Sequence, residues 1–566
     1  MLSKSGAPGV FAIRSRRVSF QGPSGLQIVG FVDEAAEASW NERVLLLAPR
    51  YGETKKNNLQ LAYTFAANGF KVLRFDQTNH IGESDGKMTD FTLSGAAADI
   101  SAAVDFIDQQ FEPAQIALVA LSLSCRCGFR ACARDERISR FASLVGMVDM
   151  DRTLKAIYKR DFFGELSAGA EWRMVDILGF EIDGKHFHDD LVAENLKTLD
   201  GTLADAEKVK IPVLHLYAAN DRWVDPADVE KVIGRCAQGR LALLPDVGHE
   251  INENKRALES AVDQVLRFCL EGLPQPEGAA FRQPDPQELM AQNRRERKRM
   301  QSVLQFTGSE DGFWSDYLGK FGIIEEAHYY IEYFNRLSDD LGLLRPRDVL
   351  LDAGCGNGFF GIILLRKMLL AAKVDGALPG PLHYHGVDLT PEGLNRSYSR
   401  HTKELIELHR EVMTEAAGAT FSYNRVNLDT RADAQGRILS LGEGSIDKVC
   451  CSLVVSYLKE PLSLFTEIRR VLKPGGVAVI SSMKPGCDMT VLYHDYLSVD
   501  TPTDESNQDA TKLLSAAGRI KMKKDLGIYN FFTGEELERL AFDAGFTNIR
   551  SSRSFGNQAN VVRVVK

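Results

Sequence analysis

The chain has 566 residues, 44% of them hydrophobic and 26% charged, with a formal net charge of −9. That length exceeds what one hydrophobic core serves, so two or more domains are expected, and the acidic balance speaks against a general nucleic-acid binder. Nine scattered cysteines without a CxxC pair or a Cys/His cluster fit a reduced, cytoplasmic protein without structural zinc. Met1 to Arg17 lacks the apolar core of a signal peptide, and no apolar run reaches membrane-spanning length, so no integral membrane segment is expected.

In chain order, residues 17–33 alternate around Pro23-Ser24-Gly25, which predicts an antiparallel hairpin at a sheet edge. Arg43 to Pro49 is an unbroken apolar run, typical of a strand buried on both faces. Helix 59–68, strand 71–76, helix 96–111 and strand 116–120 follow, then strands at 141–148, 213–217 and 240–244 and a closing helix at 255–270. Alternation of apolar strands with helices predicts an α/β fold with a mainly parallel, doubly wound sheet. A mixed, largely helical insertion at about 151–208 is placed to cap an active site.

Ser122 lies in Ala120-Leu121-Ser122-Leu123-Ser124, directly after a buried strand. This is the position of a nucleophile elbow, with small Ala and Ser where Gly-x-Ser-x-Gly has glycines; small flanks are needed because the turn is strained and the helix passes close to the strand. Asp221, in Asn220-Asp221-Arg222-Trp223-Val224, follows a strand end, and His249, in Asp246-Val247-Gly248-His249, lies in the loop after the next strand. The order Ser, Asp, His is that of the α/β-hydrolases, with Asp246 a competing acid close to His249. The backbone N–H groups of Leu123 and Tyr51 are the candidate oxyanion donors.

The Ala-x-Ser-Leu-Ser elbow, Val72 to Asp76 followed by His80-Ile81-Gly82-Glu83-Ser84, Asn220 to Val224, and Phe180-Glu181 through Leu196 to Asp200 carry a resemblance. Over residues 15–270 the chain resembles the acyltransferase/thioesterase family of the bacterial luminescence operon. The resemblance implies a long acyl thioester substrate, on acyl-carrier protein or coenzyme A, and an apolar helical lid. It departs from the family at Arg50-Tyr51-Gly52.

Residues 272–309 read as a linker rich in Gly, Pro and Gln that carries a short basic helix, Arg294-Arg295-Glu296-Arg297-Lys298-Arg299. Such a run is either a solvated face or a docking surface for an acidic partner. A helix at 323–343 precedes Asp348 to Leu351, a strand, and then Asp352-Ala353-Gly354-Cys355-Gly356-Asn357-Gly358. Glycines at alternate positions where a strand becomes a helix let the backbone approach a ligand closely. A second strand ends in Asp388-Leu389, where an acid suits the two hydroxyls of a ribose.

The glycine block resembles motif I of class I S-adenosylmethionine-dependent methyltransferases, a likeness that spans residues 310–566 with a Rossmann-like fold. It implies that Asp352 serves the methionine end, that Asp388 takes the ribose, and that Asn427-Leu428-Asp429 reads the adenine edge, with the acting polar residue left open. Ser452, in Cys451-Ser452-Leu453-Val454 at the fourth strand end, should face the sulfonium. Phe313, Trp314, Tyr317 and Phe321 either fold over the site or pack a helix onto the core, and Tyr493, His494 and Tyr496 are candidates for the acceptor side.

Two halves of this kind predict a bifunctional enzyme with domains at 1–271 and 310–566: acyl release from a thioester, then methylation of the new carboxylate. A carboxylate is already ionised at neutral pH and needs alignment, not a base. Two alternatives stand beside it. In one, the back half methylates an O, N or C acceptor on a polyketide or peptide intermediate. In the other, the front half is an inactive binding scaffold.

Overall fold

The computed structural model describes residues 12–22, 25–36, 43–167, 174–272, 281–304, 310–320, 325–345, 347–375, 381–412, 419–429, 437–498 and 504–566. The chain divides into two compact units, Met1–Gln305 and Phe306–Lys566. Among the described residues no helix is long and apolar enough to cross a membrane.

The first unit is built on strands β1 (Ile13–Gln21), β2 (Gln27–Ala35), β3 (Arg43–Ala48), β4 (Lys71–Phe75), β5 (Gln115–Leu121) and β6 (Ile138–Leu144). A small hairpin, β7 (Met174–Ile177) and β8 (Phe180–Asp183), stands apart from β9 (Pro212–Ala218) and β10 (Gln238–Leu244). The main sheet runs β1-β2-β4-β3-β5-β6-β9-β10. β1 pairs antiparallel with β2 with Arg17 opposite Phe31, as the alternation predicts, and β2 pairs antiparallel with β4. From β4 to β10 the pairing is parallel. All six residues of β3 are buried, because helices cover both faces of the parallel part.

Two expectations change here. The strand predicted at 141–148 ends at Leu144; Val145 takes a φ of 44°, and the chain turns beneath Ser122 with Met147 N–H on its carbonyl. The apolar run continues because Val145, Met147 and Val148 are buried there, a tertiary demand that mimics a strand. The insertion holds helices at Met150–Tyr158, Phe162–Ser167, Gly184–Ala193 and Leu199–Ala206, and also the unpredicted β7–β8 hairpin.

The insertion is pinned by buried charge. Arg126 and Arg130, on the helix that follows Ser122, both reach Asp205 Oδ2, at 2.7 and 2.8 Å. Asp190 accepts the N–H groups of Leu93 and Ser94, which open the helix Leu93–Phe111.

The basic helix predicted as linker, Pro286–Val303, belongs to the first unit. Gln292, Glu296 and Met300 form its buried face. Glu296 makes two hydrogen bonds to Arg74, at 2.6 and 2.7 Å, and Arg74 also binds Asp33. The single acid in the basic run is thus its anchor.

The second unit holds β11 (Val349–Ala353), β12 (Leu382–Asp388), β13 (Ala419–Arg425), β14 (Ile446–Cys451), β15 (Leu472–Met483), β16 (Thr547–Ser554) and β17 (Ala559–Val565). The order is β13-β12-β11-β14-β15-β17-β16, parallel except for the two pairs made by β17. The helix before it spans His328–Leu341, narrower than predicted. Pro474-Gly475-Gly476 lies within β15, where the pairing steps from Leu472 opposite Ile446 to Val477 opposite Lys448. Phe321 lies outside the described residues.

Candidate active sites

β5 runs straight into Ser122, whose φ of 53° is left-handed, and the helix Ser124–Arg134 begins two residues later. A non-glycine residue holds such a φ only when its surroundings demand it. Here Ser122 N–H donates to the Leu144 carbonyl, and its own carbonyl takes Cys125 and Met147 N–H. Ser122 Oγ lies 2.8 Å from His249 Nε2, and His249 Nδ1 lies 2.8 Å from Asp221 Oδ2.

The three predicted residues are therefore in one hydrogen-bonded chain, across 127 and 28 residues of sequence. Asp246, the competitor, is exposed. Burial pushes the Asp221 carboxyl up, but His249 and the N–H groups of Trp223 and Val224 more than offset it and hold it below the usual carboxylate range. Trp223 stacks on the His249 ring, centroids 4.2 Å apart at 18°. The sequence motif contained that tryptophan, but nothing in the sequence gave it a role.

The loop that carries Tyr51 is held against the elbow. Ser124 Oγ donates to the Pro49 carbonyl, tying the loop after β3 to the elbow. Arg50 grips Glu250 with two bonds, at 3.0 and 2.9 Å, which joins that loop to the residue after His249. Gly52 N–H donates to His80 Nε2 at 3.0 Å; burial lowers His80 to about 4, so the ring is neutral and keeps that lone pair. Neither Tyr51 N–H nor Leu123 N–H has an acceptor among the described residues. The Tyr51 ring meets His80, Phe91 and the hairpin residue Phe180 edge-on.

In the second unit a cavity of about 410 Å³ opens at the ends of β11, β12 and β14. Asp352, Gly354, Cys355, Gly356, Asn357, Asp388, Leu389, Asn427, Leu428, Asp429 and Ser452 are among its lining residues. These predicted ligand-facing residues share this one space, whereas Gly358, the last glycine of the block, is not among its lining residues and packs against Ser397 and His401. Gly354 has a φ of 85°, and a Cβ there would sit 2.0 Å from Val454 Cγ2. Gly358 has a φ of 78°, and a Cβ there would meet His401 and Ser397 within 3 Å.

Asp388 accepts Gly356 N–H at 2.9 Å and both the N–H and hydroxyl of Thr390, so it orders the glycine turn as well as facing the cavity. Asp352 accepts the Tyr384 hydroxyl at 2.6 Å. Burial, with the Asp388 charge adding to it, raises Asp352 to about 7 against the opposing Tyr384 bond. His401 Nε2 donates to the Gly358 carbonyl at 2.6 Å, so its Nδ1 accepts from Tyr423, and burial lowers the ring to about 4.

Of the aromatic residues left with two readings, Trp314 and Tyr317 line the cavity. Phe313 contacts both of them. Tyr457 and Tyr529 complete the wall, with Trp314 4.4 Å from Tyr457 between ring centroids. Lys523, buried, donates to the Tyr529 hydroxyl at 3.1 Å and lies 4.3 Å from the Phe313 ring centre. Tyr493, His494 and Tyr496 are not among the lining residues. Tyr457, Tyr529, Lys523 and Thr390 were not singled out in the sequence, because isolated aromatics and cations carry no local pattern.

The first unit therefore has the fold of the α/β-hydrolases with a serine on a strained strand-to-helix turn, and the second is a Rossmann-like domain with a glycine-turn cavity. Comparison with known proteins gives each a family. Residues 34–267 match the acyl transferase family, and residues 324–551 match a methyltransferase domain. The acyl transferase of Photobacterium phosphoreum is 25% identical over 228 residues, covering 40% of this chain and 74% of that protein. That of Aliivibrio fischeri is 27% identical over 232 residues, with the same two shares. Among solved structures, Est1E of Butyrivibrio proteoclasticus with bound ferulic acid aligns at 18% identity over 45% of this chain and 98% of its own, with a TM-score of 0.38. The chain is a fusion of an acyl-transferase-family domain and a methyltransferase domain, an enzyme with both activities that uses a methyl donor.

Proposed function

We propose that the protein releases an acyl group from a carrier thioester through Ser122 and methylates the freed carboxylate with S-adenosylmethionine, giving an acyl methyl ester. The observation that carries the first half is the Ser122–His249–Asp221 chain on a left-handed elbow. His249 Nε2 takes the Ser122 proton as Oγ attacks the thioester carbonyl. Tyr51 and Leu123 N–H hold the oxyanion, each contributing about 3 kcal/mol. The C–S bond breaks, the departing thiolate takes the proton from His249, and the acyl group remains as the Ser122 ester. His249 then deprotonates water, which attacks the ester; Ser122 regains its proton and the acid leaves. Asp221, ionised throughout, holds the His249 tautomer and stabilises the imidazolium.

The glycine cavity fits S-adenosylmethionine. An acid at the end of β12 and a buried, unsatisfied Asn357 Oδ1 line it, and these are acceptors suited to the hydroxyl and ammonium donors of that ligand. When bound, the cofactor supplies an electrophilic methyl on a sulfonium. Asp388 accepts ribose hydroxyls, Asp352 serves the ammonium end, and Asn427 and Asp429 meet the adenine edge. Trp314, Tyr317, Tyr457 and Tyr529 exclude water and align the acceptor. The Lys523 ammonium behind Tyr529 supports an anionic acceptor, which is why a carboxylate is preferred to a neutral hydroxyl.

Incubating acyl-carrier protein with methyl-labelled S-adenosylmethionine tests this reading. The expected product is labelled ester from wild type, free acid alone from Asp388→Ala, and ester only from added free acid with Ser122→Ala. No labelled ester from wild type with either acyl-carrier protein or free acid overturns it.

A further inference from the structure

The densest run of cations in the sequence is not used by either site. On the helix Pro286–Val303, Arg294, Arg295, Lys298 and Arg299 are exposed, and between Met290 and Leu304 the one carboxylate is Glu296, buried on Arg74. The edge strand β1 adds Arg14, Arg16 and Arg17, all exposed, and has no acid of its own. The two elements adjoin: Ile13 N–H donates to Glu288 at 3.0 Å, and Arg17 and Arg299 converge on Glu83 Oε1 at 3.6 and 2.6 Å. In a chain of net charge −9 this is a concentrated positive face. Both elements lie outside residues 34–267, so the family match assigns them nothing.

The face is tied to the acyl site. Glu83 binds Lys55 Nζ at 2.9 Å, and Lys55 N–H is held by Asp76 at 2.7 Å. Lys55 ends the short loop that carries Tyr51 and Gly52, and His80, three residues before Glu83, grips Gly52. A partner seated on the cations therefore stands against the loop that faces Ser122.

We infer that β1 and the helix Pro286–Val303 form the docking face for an acidic protein that carries the acyl thioester. This rests on the thioester reading above. Charge complementarity selects the partner: long-range attraction raises encounter rates, and the linked loop brings the tethered thioester to the nucleophile. The charge reversal Arg295→Glu/Lys298→Glu tests it, since both side chains are exposed and, among the described residues, Arg295 bonds the neighbouring Gln292 on its own helix.

At low ionic strength the KM for acyl-carrier protein rises about tenfold or more. The kcat, and all kinetics on a short acyl thioester without a carrier, stay as in wild type. Anisotropy of labelled apo-carrier protein weakens in parallel, a readout that needs no turnover and so separates this inference from failure of the thioester reading. Equal carrier affinity in variant and wild type overturns it. So does loss of binding to anionic phosphatidylglycerol vesicles with carrier affinity intact, which would make the face a membrane contact.

Discussion

Asp221 and Asp352 are two buried carboxyls that their surroundings push in opposite directions. Asp221 has a histidine and two N–H groups to offset burial and stays ionised, so it can hold the His249 tautomer. Asp221→Asn keeps the shape and removes that control; the expected loss in acyl-release kcat is about 10⁴-fold, read by single-substrate kinetics. Asp352 has one hydroxyl and a nearby like charge, so its proton is retained up to about pH 7. Its folded value lies above the ordinary 3.8, so the stability it contributes is full below about 3.8 and lost as pH rises through about 7. Asp352→Asn should accordingly gain stability over wild type more at pH 8 than at pH 5 in urea melts. Affinity for the cationic end of the cofactor should have the opposite slope in wild type, strengthening with pH as the carboxylate ionises, and be flat in the variant. Calorimetric titration across that range checks it.

At the scale of elements, the helix Pro286–Val303 shows how one residue decides a role. Read as a string of cations, it is a solvated linker; folded, Glu296, the one acid inside the basic run from Arg294 to Arg299, pairs with Arg74 on β4 beside Asp33. Glu296→Ala removes one of two carboxylates from a fully buried guanidinium and is expected to cost about 3 kcal/mol in urea denaturation of the first unit. Lys298→Ala, on the exposed face, should change stability by less than about 0.5 kcal/mol. The glycine turn is equally specific. Gly354→Ala puts a methyl group 2.0 Å from Val454 Cγ2 at a φ of 85°, so cofactor binding should be lost. A second change, Val454→Ala, relieves the collision but not the backbone strain, and partial recovery of binding is expected by the same titration.

For the whole molecule, two units with separate sheets and separate sites predict separable activities. Ser122→Ala should leave methylation of a supplied free acid at the wild-type rate, and Asp388→Ala should leave acyl release unchanged. Product analysis by mass spectrometry, with each substrate given alone, distinguishes this from a single coupled site.

The sequence by itself determined the two-domain α/β organisation, the elbow at Ser122 and the glycine turn from Gly354 to Gly358. The organisation shows in the alternation of apolar strands with helices, and the elbow and the glycine turn are strand-to-helix junctions whose steric needs are met within about ten neighbouring residues, so the residue types reveal them. The order Ser, Asp, His already pointed to Asp221 ahead of the nearer Asp246, and the fold brings that carboxylate to His249 Nδ1. Tertiary structure alone decided that Trp223 stacks on the imidazole, and that Trp314, Tyr317, Tyr457 and Tyr529 line one cavity. It also decided that Glu296 reaches Arg74 across 222 residues. Such contacts depend on how distant elements pack, and a buried charge or an aromatic ring has no periodicity from which its partner could be read.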